Sequence, residues 1–210
     1  MEILKKIGVT LKKTLKYTLI SGAAITLITV PVLAYKVKNI IDDAPVITEK
    51  MLRSEATSNM YDKHGELIWS QTDIRRNYIR YDKLPDLYVQ LLLNTEDATY
   101  FQDRGISPKG TINAFVSFGK RGGSSIEQQL IKNVAFSTDV KDRTLDRKIK
   151  EFWLALQLDT NWSKQQILEW YVNKINMGEG SYGANTIAIT YYGHSLDEMK
   201  KRTPENIAHL

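Results

Sequence analysis

The sequence predicts a mainly α-helical protein, with a small β element near its start and one transmembrane helix ahead of it. Three observations carry that expectation. Apolar residues recur at helical spacing through most of the chain beyond Pro85. Residues 58–71, SNMYDKHGELIWSQ, alternate apolar and polar around Asp62-Lys63-His64-Gly65, the pattern of a short hairpin. Residues 17–35 form an uncharged apolar run between lysines.

Taken in order, the chain opens on a basic tail, residues 1–16, expected on the cytoplasmic side. The run YTLISGAAITLITVPVLAY follows; about 19 residues at 1.5 Å each reach roughly 28 Å, enough to cross a hydrocarbon core. Lysines 5, 6, 12, 13 and 16 precede it, whereas only Lys36 and Lys38 follow before Asp42 and Asp43. Positive charge on the leading side predicts a cytoplasmic N-terminus and an extracytoplasmic remainder. A cleaved signal peptide is the competing reading, because Val32-Leu33-Ala34 resembles a small-residue cleavage site. Residues 36–57 are polar and read as a stalk, and residues 58–210 as the folded domain.

Within that domain, Leu87, Gln90, Leu91 and Asn94 lead a helix toward Glu96 and Asp97. Ile126, Leu130, Ile131 and Val134 mark another. Ile149, Phe152 and Leu156 are spaced to face a core, which would turn Arg147 and Glu151 to the opposite side. Ser163 and Gln166 form a capping box for a helix with Ile167, Leu168, Tyr171 and Val172 inward. Glycines 178, 180 and 183 mark a turn-rich stretch before another short helix.

Composition excludes several function classes. The 210 residues contain no cysteine, so no disulfide, thiolate metal site or cysteine nucleophile is available. The net charge of +5 is concentrated in residues 1–38, which hold seven lysines and one glutamate; the remainder has 22 basic and 23 acidic residues. That balance gives no nucleic-acid footprint. His64, His194 and His209 are scattered, so neither a histidine metal site nor a histidine base is suggested.

The stretch from Glu96 to Glu151 concentrates the chemistry. It reads EDATYFQDRG, GGSSIEQQLIKN and RTLDRKIKE in order, supplying two acids, a glycine-led turn and clustered cations. A base, a second acid and fixed positive charge suit proton abstraction from a sugar hydroxyl while a pyrophosphate departs.

These strings resemble the peptidoglycan glycosyltransferase domain of family 51, found in class A penicillin-binding proteins and monofunctional transglycosylases. EDATYFQDRG is similar to ED-x-x-F-x-x-H-x-G, and GGSSIEQQLIKN to GGST-x-TQQ-x-x-KN. Arg147-Lys148-x-x-Glu151 matches R-K-x-x-E, and KQQILEWYVN matches K-x-x-I-L-E-x-Y-x-N. GEGSYGANTIAITYYGH is similar to G-x-x-x-G-x-x-x-A-x-x-x-Y-F-G-K. Asp103 stands where the family usually has His, Glu127 replaces Thr, Asn113 sits where Arg is common, Tyr100 replaces Phe and Ser125 replaces Thr. Asp103 and Glu127 would add negative charge near a pyrophosphate.

The resemblance implies a lysozyme-like lobe that polymerises lipid II into β-1,4-linked glycan and releases undecaprenyl diphosphate. Glu96 would be the general base, and Glu151, the second catalytic carboxylate, would lie across the cleft and orient basic groups or help the leaving pyrophosphate. Locally, Arg147 and Glu151 could equally be an ordinary surface ion pair at i, i+4. Lys132, Arg143, Arg147 and Lys148 would clamp the diphosphate; Asp97, Ser124, Gln128 and Gln129 would position substrate. The loop from Gly119 to Gly123 could close over substrate or simply connect, and Phe115, Val116 and Phe118 could enter the membrane interface or the core. Glu169, Tyr171 and Asn173 are expected to hold helices together. No cofactor is required by the sequence, although the family can use Mg or Mn at the diphosphate.

The expected partners are lipid II, the growing glycan strand, the bacterial cell membrane, and a possible transpeptidase domain or other cell-wall synthesis proteins. The segment SLDEMKKRTPENIAHL reads as the opening of a helix that the family continues, so the chain is expected to be C-terminally truncated. A truncated, non-catalytic protein that binds lipid II or cell-wall partners is the rival reading, and a lysozyme-like hydrolase a third. The cations after Lys132 count against hydrolysis, which needs no pyrophosphate clamp.

Overall fold

The chain divides into two units, Met1–Ala44 and Pro45–Leu210, in the computed structural model. The structure describes residues 2–53, 59–70, 75–107, 110, 123–136, 144–178 and 181–210. Within these, the side chains of residues 2–15, 19, 22–25, 59, 61, 67, 69, 70 and 75 fall outside the description.

The first unit is dominated by one helix, α1 (Glu2–Asp42), with Pro31 inside it. Leu27, Ile28, Val30, Val32 and Leu33 are all exposed. At about 100° per residue they point to every side, so this stretch is apolar all round. Among the described residues no helix is long and apolar enough to cross a membrane. The expected span 17–35 includes Leu19 and residues 22–25, whose side chains lie outside the description.

The second unit begins with α2 (Glu49–Leu52), capped by Thr48, whose hydroxyl accepts from the Met51 N–H. Leu52 is fully buried. The segment read as a stalk therefore delivers a core residue, from a helix too short to show periodicity in the sequence. The expected hairpin is present: β1 (Asn59–Tyr61) pairs antiparallel with β2 (Leu67–Ser70). Asp62 Oδ1 accepts from the N–H groups of His64 and Glu66, each at 2.8 Å, and these bonds form the turn. A second small sheet was not visible in the sequence. It joins β3 (Arg75–Arg76) in parallel to β4 (Ser181–Tyr182), and two-residue strands fall below any alternation pattern.

Among the described residues the helices that follow are α3 (Asp86–Glu96), α4 (Ile126–Ala135), α5 (Leu145–Asn161), α6 (Lys164–Lys174), α7 (Ala184–Tyr192) and α8 (Leu196–Arg202). The Ser163–Gln166 capping box forms as expected, and Ser125–Gln128 and Ser195–Glu198 form two more at α4 and α8. Arg202 ends α8, and Pro204–His209 continue as a 3-10 turn, since proline disfavours helix in the residue before it.

The core lies where α4 packs on α5 and α6. Ile126, Leu130 and Ile131 meet a layer formed by Leu154, Ala155, Leu158, Ile167, Leu168 and Val172, all buried. Burying one such large side chain contributes about 1.5–3 kcal/mol. The expected face of α5 is corrected. Phe152 is 37% exposed, while Arg147 and Glu151 are buried together with Leu154, Ala155 and Leu158. Those five positions make their own stripe, and the charges can enter it because Arg147 and Glu151 neutralise each other.

Two glycines allow close backbone approach. Gly105 has φ +76, and a Cβ there would lie 2.5 Å from the Ala155 carbonyl oxygen. Only glycine lets the turn after α3 approach α5 this closely. Gly183 has φ +89 and sits at the start of α7 against the Asn173 backbone.

Candidate active site

A cleft of ≈ 350 Å³ opens where the end of α3, the start of α4 and one side of α5 meet. Glu96 and Glu151 line it, with Lys132, Lys148, Ser124, Gln128 and Gln129 between them. Thr95 and Gly123 complete the wall. Seven residues singled out in the sequence therefore converge, from three separate segments.

Glu96 is the last residue of α3 and is exposed. Its Oε2 accepts a hydrogen bond from Gln129 Nε2 at 2.9 Å. Asp97, one residue on, turns the other way. Its Oδ2 accepts from the Ile126 N–H at 3.2 Å, and the residue is buried. Burial pushes its carboxyl above the usual range, a rise that the nearby Asp103 reinforces and the Ile126 N–H opposes. Asp97 thus pins the end of α3 to the start of α4, which brings Glu96 to Gln129.

Gln128 performs two tasks. Its side-chain oxygen accepts from the Ser125 N–H at 3.0 Å, closing the capping box, while the residue also lines the cleft. Ser125 Oγ donates to the Gly105 carbonyl at 2.8 Å, tying the α4 N-terminus to the glycine turn.

Glu151 is only 2% exposed. Arg147 Nε donates to its Oε1 at 2.9 Å, and Lys148 Nζ to its Oε2 at 2.7 Å. The reading of Arg147 and Glu151 as a surface pair is overturned by this burial. Arg147 backs Glu151 and stacks over Phe136, with its guanidinium carbon 5.6 Å from the ring centroid; it is not part of the cleft wall. Lys148 does reach the cleft, and it also donates to Ser124 Oγ at 3.1 Å. Lys132 lines the cleft from α4. Arg143, Asn113, Phe115, Val116, Phe118 and the loop residues 119–122 lie outside the described residues.

The charge expected from Glu127 does not enter the cleft. Glu127 is 1% exposed, and its Oε1 accepts from Lys164 Nζ at 2.6 Å. Lys164 also pairs with Asp159 at 2.7 Å and lies 4.5 Å from the Tyr100 ring centroid. The glutamate where the family has threonine is therefore matched by a largely enclosed lysine, 15% exposed. Asp103 accepts from Thr99 Oγ1 at 2.5 Å and is not part of the cleft wall.

Glu169 and Asn173 hold elements together, as expected. Glu169 accepts from the Tyr78 hydroxyl and the Tyr81 N–H, and Asn173 exchanges hydrogen bonds with the Ile79 backbone. Tyr171 does more: its hydroxyl donates to Gln129 Oε1 at 3.1 Å, a link to the cleft that helical spacing alone did not reveal.

A protein-held divalent cation does not suit this donor set. Glu151 is engaged by two cationic side chains. Among the described residues no three carboxylate or imidazole groups converge, whereas hard cations need several oxygen ligands. A larger cavity of ≈ 480 Å³ beside Tyr191, Tyr192 and Leu210 brings no carboxylates or cations together.

Comparison with known families assigns the domain that carries this cleft. Residues 64–210 match the transglycosylase family, and the chain belongs to it. Among curated relatives, it is similar to penicillin-binding protein 1A/1B of Bacillus subtilis, 36% identical over 175 residues, covering 81% of this chain and 19% of the relative. It is 37% identical over 163 residues to penicillin-binding protein 1A of Streptococcus pneumoniae, covering 76% and 23%. Penicillin-binding protein 1A of Escherichia coli is 35% identical over 159 residues, covering 73% and 18%. The chain spans about a fifth of the length of these relatives.

Proposed function

We propose that this chain is a peptidoglycan glycosyltransferase that polymerises lipid II into β-1,4-linked glycan and releases undecaprenyl diphosphate. One observation carries the reading. One cleft is lined by an exposed carboxylate, Glu96, by a carboxylate–lysine pair, Glu151 and Lys148, and by Lys132.

Glu96 takes the proton from the 4-hydroxyl of the acceptor N-acetylglucosamine. That oxygen attacks the anomeric carbon of the donor N-acetylmuramic acid, and the bond to the diphosphate breaks with inversion from α to β. The electron pair leaves on the diphosphate. Lys132 and Lys148 meet that charge as fixed donors in a partly enclosed site. Glu151 holds Lys148 in position, and Arg147 braces Glu151 from behind. Ser124, Gln128 and Gln129 orient the sugars and phosphate; Arg143 belongs to the same clamp by resemblance. Asp97 acts by holding the backbone.

The same reading makes α1 a single-pass anchor in the bacterial cell membrane, with the cytoplasm on its N-terminal side. Its all-round apolar stretch supports this, since such surface has no partner in water. Anchoring would confine the enzyme to the surface that carries its substrate and raise their effective concentration. The lobe would be lysozyme-like, with a transpeptidase domain or other cell-wall proteins as partners.

The test supplies labelled lipid II to the 210-residue chain in detergent and resolves the products by size. Glycan polymer is expected from the wild type. Glu96→Gln should lower its rate by about 10²–10⁴-fold with an unchanged melting temperature. Binding without polymer from either form would overturn the enzymatic reading in favour of a lipid II-binding protein. Cleavage of preformed glycan would point instead to a hydrolase.

A further inference from the structure

Glu96 ends a helix and is exposed, yet a base must hold its oxygen in line with the incoming hydroxyl. We propose that Tyr171 is a positioning residue for Glu96, acting through the side-chain amide of Gln129. The proposal rests on the reading of Glu96 as the base.

Three side chains from three helices form one line. Tyr171 on α6 donates its hydroxyl to Gln129 Oε1 at 3.1 Å. Gln129 on α4 donates Nε2 to Glu96 Oε2 at 2.9 Å. An amide can sit in two orientations, and a carboxylate only accepts. The contact with Glu96 attracts when the NH2 group faces it and repels when the carbonyl oxygen does.

The Ser124 carbonyl accepts from the same Nε2 at 3.5 Å, and the tyrosine reinforces that orientation from the oxygen side. Its hydroxyl donates to the amide oxygen, so it holds that oxygen away from Glu96. Tyr171 is 3% exposed in the core, so its own position is set by packing. Burial, reinforced by the negative charge of Glu96, raises its phenol above the ordinary value of 10.0. It therefore remains a protonated donor across the working range.

The consequence for Glu96 is directional. Oε2 is occupied by Gln129, while Oε1 has no partner among the described residues and is left to accept the hydroxyl proton. A buried ring thus orients an exposed carboxylate by way of one amide, as a rigid shell supports a catalytic group.

The experiment measures kcat and KM for polymerisation of labelled lipid II by the full chain and by Tyr171→Phe, Gln129→Ala and the double variant. Tyr171→Phe keeps the ring and removes only the hydroxyl. It should lower kcat by about three- to tenfold, the scale of one hydrogen bond, with KM within about twofold. In the Gln129→Ala background the same substitution should cost nothing further. Additive losses would overturn the proposal, because Tyr171 would then act independently of Gln129. An unchanged kcat in Tyr171→Phe would overturn it too.

A second measurement needs no activity and so separates this proposal from the functional reading. The side-chain amide resonances of Gln129 are recorded by 15N NMR in detergent micelles. They should shift both in Tyr171→Phe and in Glu96→Gln; amide signals unmoved by either change would refute the relay.

Discussion

Two ionic clusters lie within α4–α6, built from the same residue types and set to opposite uses. In one, Lys164 joins Glu127 and Asp159, with side chains 15%, 1% and 17% exposed. In the other, Glu151 joins Arg147 and Lys148, at 3%, 9% and 51%. The first is sealed, its cation held by two carboxylates and a tyrosine ring. The second leaves one lysine reaching the cleft, where it also donates to the Ser124 hydroxyl. A sealed cluster holds helices in register; a cluster with one accessible member can exchange a weak neutral partner for an anionic substrate.

That contrast can be broken from the sealed side first. Lys164→Met leaves Glu127 and Asp159 without their shared cation, so a loss of about 3–5 kcal/mol in urea unfolding of the Pro45–Leu210 unit is expected. A loss below about 1 kcal/mol would mean that the cluster does not organise this region. The open side should behave differently. Lys148→Ala removes a half-exposed cation and should cost at most about 1 kcal/mol of stability. It should instead raise the lipid II concentration needed for half-maximal polymerisation by about tenfold. A larger stability loss than that of Lys164→Met would reverse the assignment of the two clusters.

The smallest effect concerns Asp97, which shares no hydrogen bond with Lys164 although that charge acts on it, and which shows what burial does to a carboxyl held by the backbone. Its pKa lies above the ordinary 3.8. As pH rises through 3.8, the unfolded chain releases this proton first. The folded state then binds more protons, so stability falls with rising pH until the folded carboxyl also ionises. Asp97→Asn keeps an acceptor for Ile126 N–H without that ionisation. Its melting temperature relative to wild type should rise between pH 4 and pH 7; a flat difference would show that Asp97 carries no such penalty.

Much of the site was legible before the fold. Glu96, Ser124, Gln129, Lys132, Lys148 and Glu151 were each identified from motif strings, because chemistry restricts residue type and order even where local geometry is unknown. The capping box at Ser163 and the hairpin at Asp62 were readable because they rest on contacts within a few residues. Three readings failed. The inward face of α5 was misread because Arg147 and Glu151, four residues apart, neutralise each other and so can be buried, whereas the burial of Glu127 and the core role of Leu52 depend on partners distant in sequence. A charged residue looks solvent-facing until its counter-ion is known, and Lys164 lies 37 residues from Glu127.

The sequence by itself determined the family, the helical character, the carboxylates and cations available, and the uncharged run ahead of the domain. These follow from residue types and short-range spacing. Only the tertiary structure decided that Glu127 belongs to the core while Lys148 belongs to the cleft, that Arg147 stands behind Glu151, and that Tyr171 reaches Glu96 through Gln129. Each of these depends on which of several chemically equivalent partners three-dimensional packing brings within hydrogen-bonding distance, and helical periodicity carries no record of that choice.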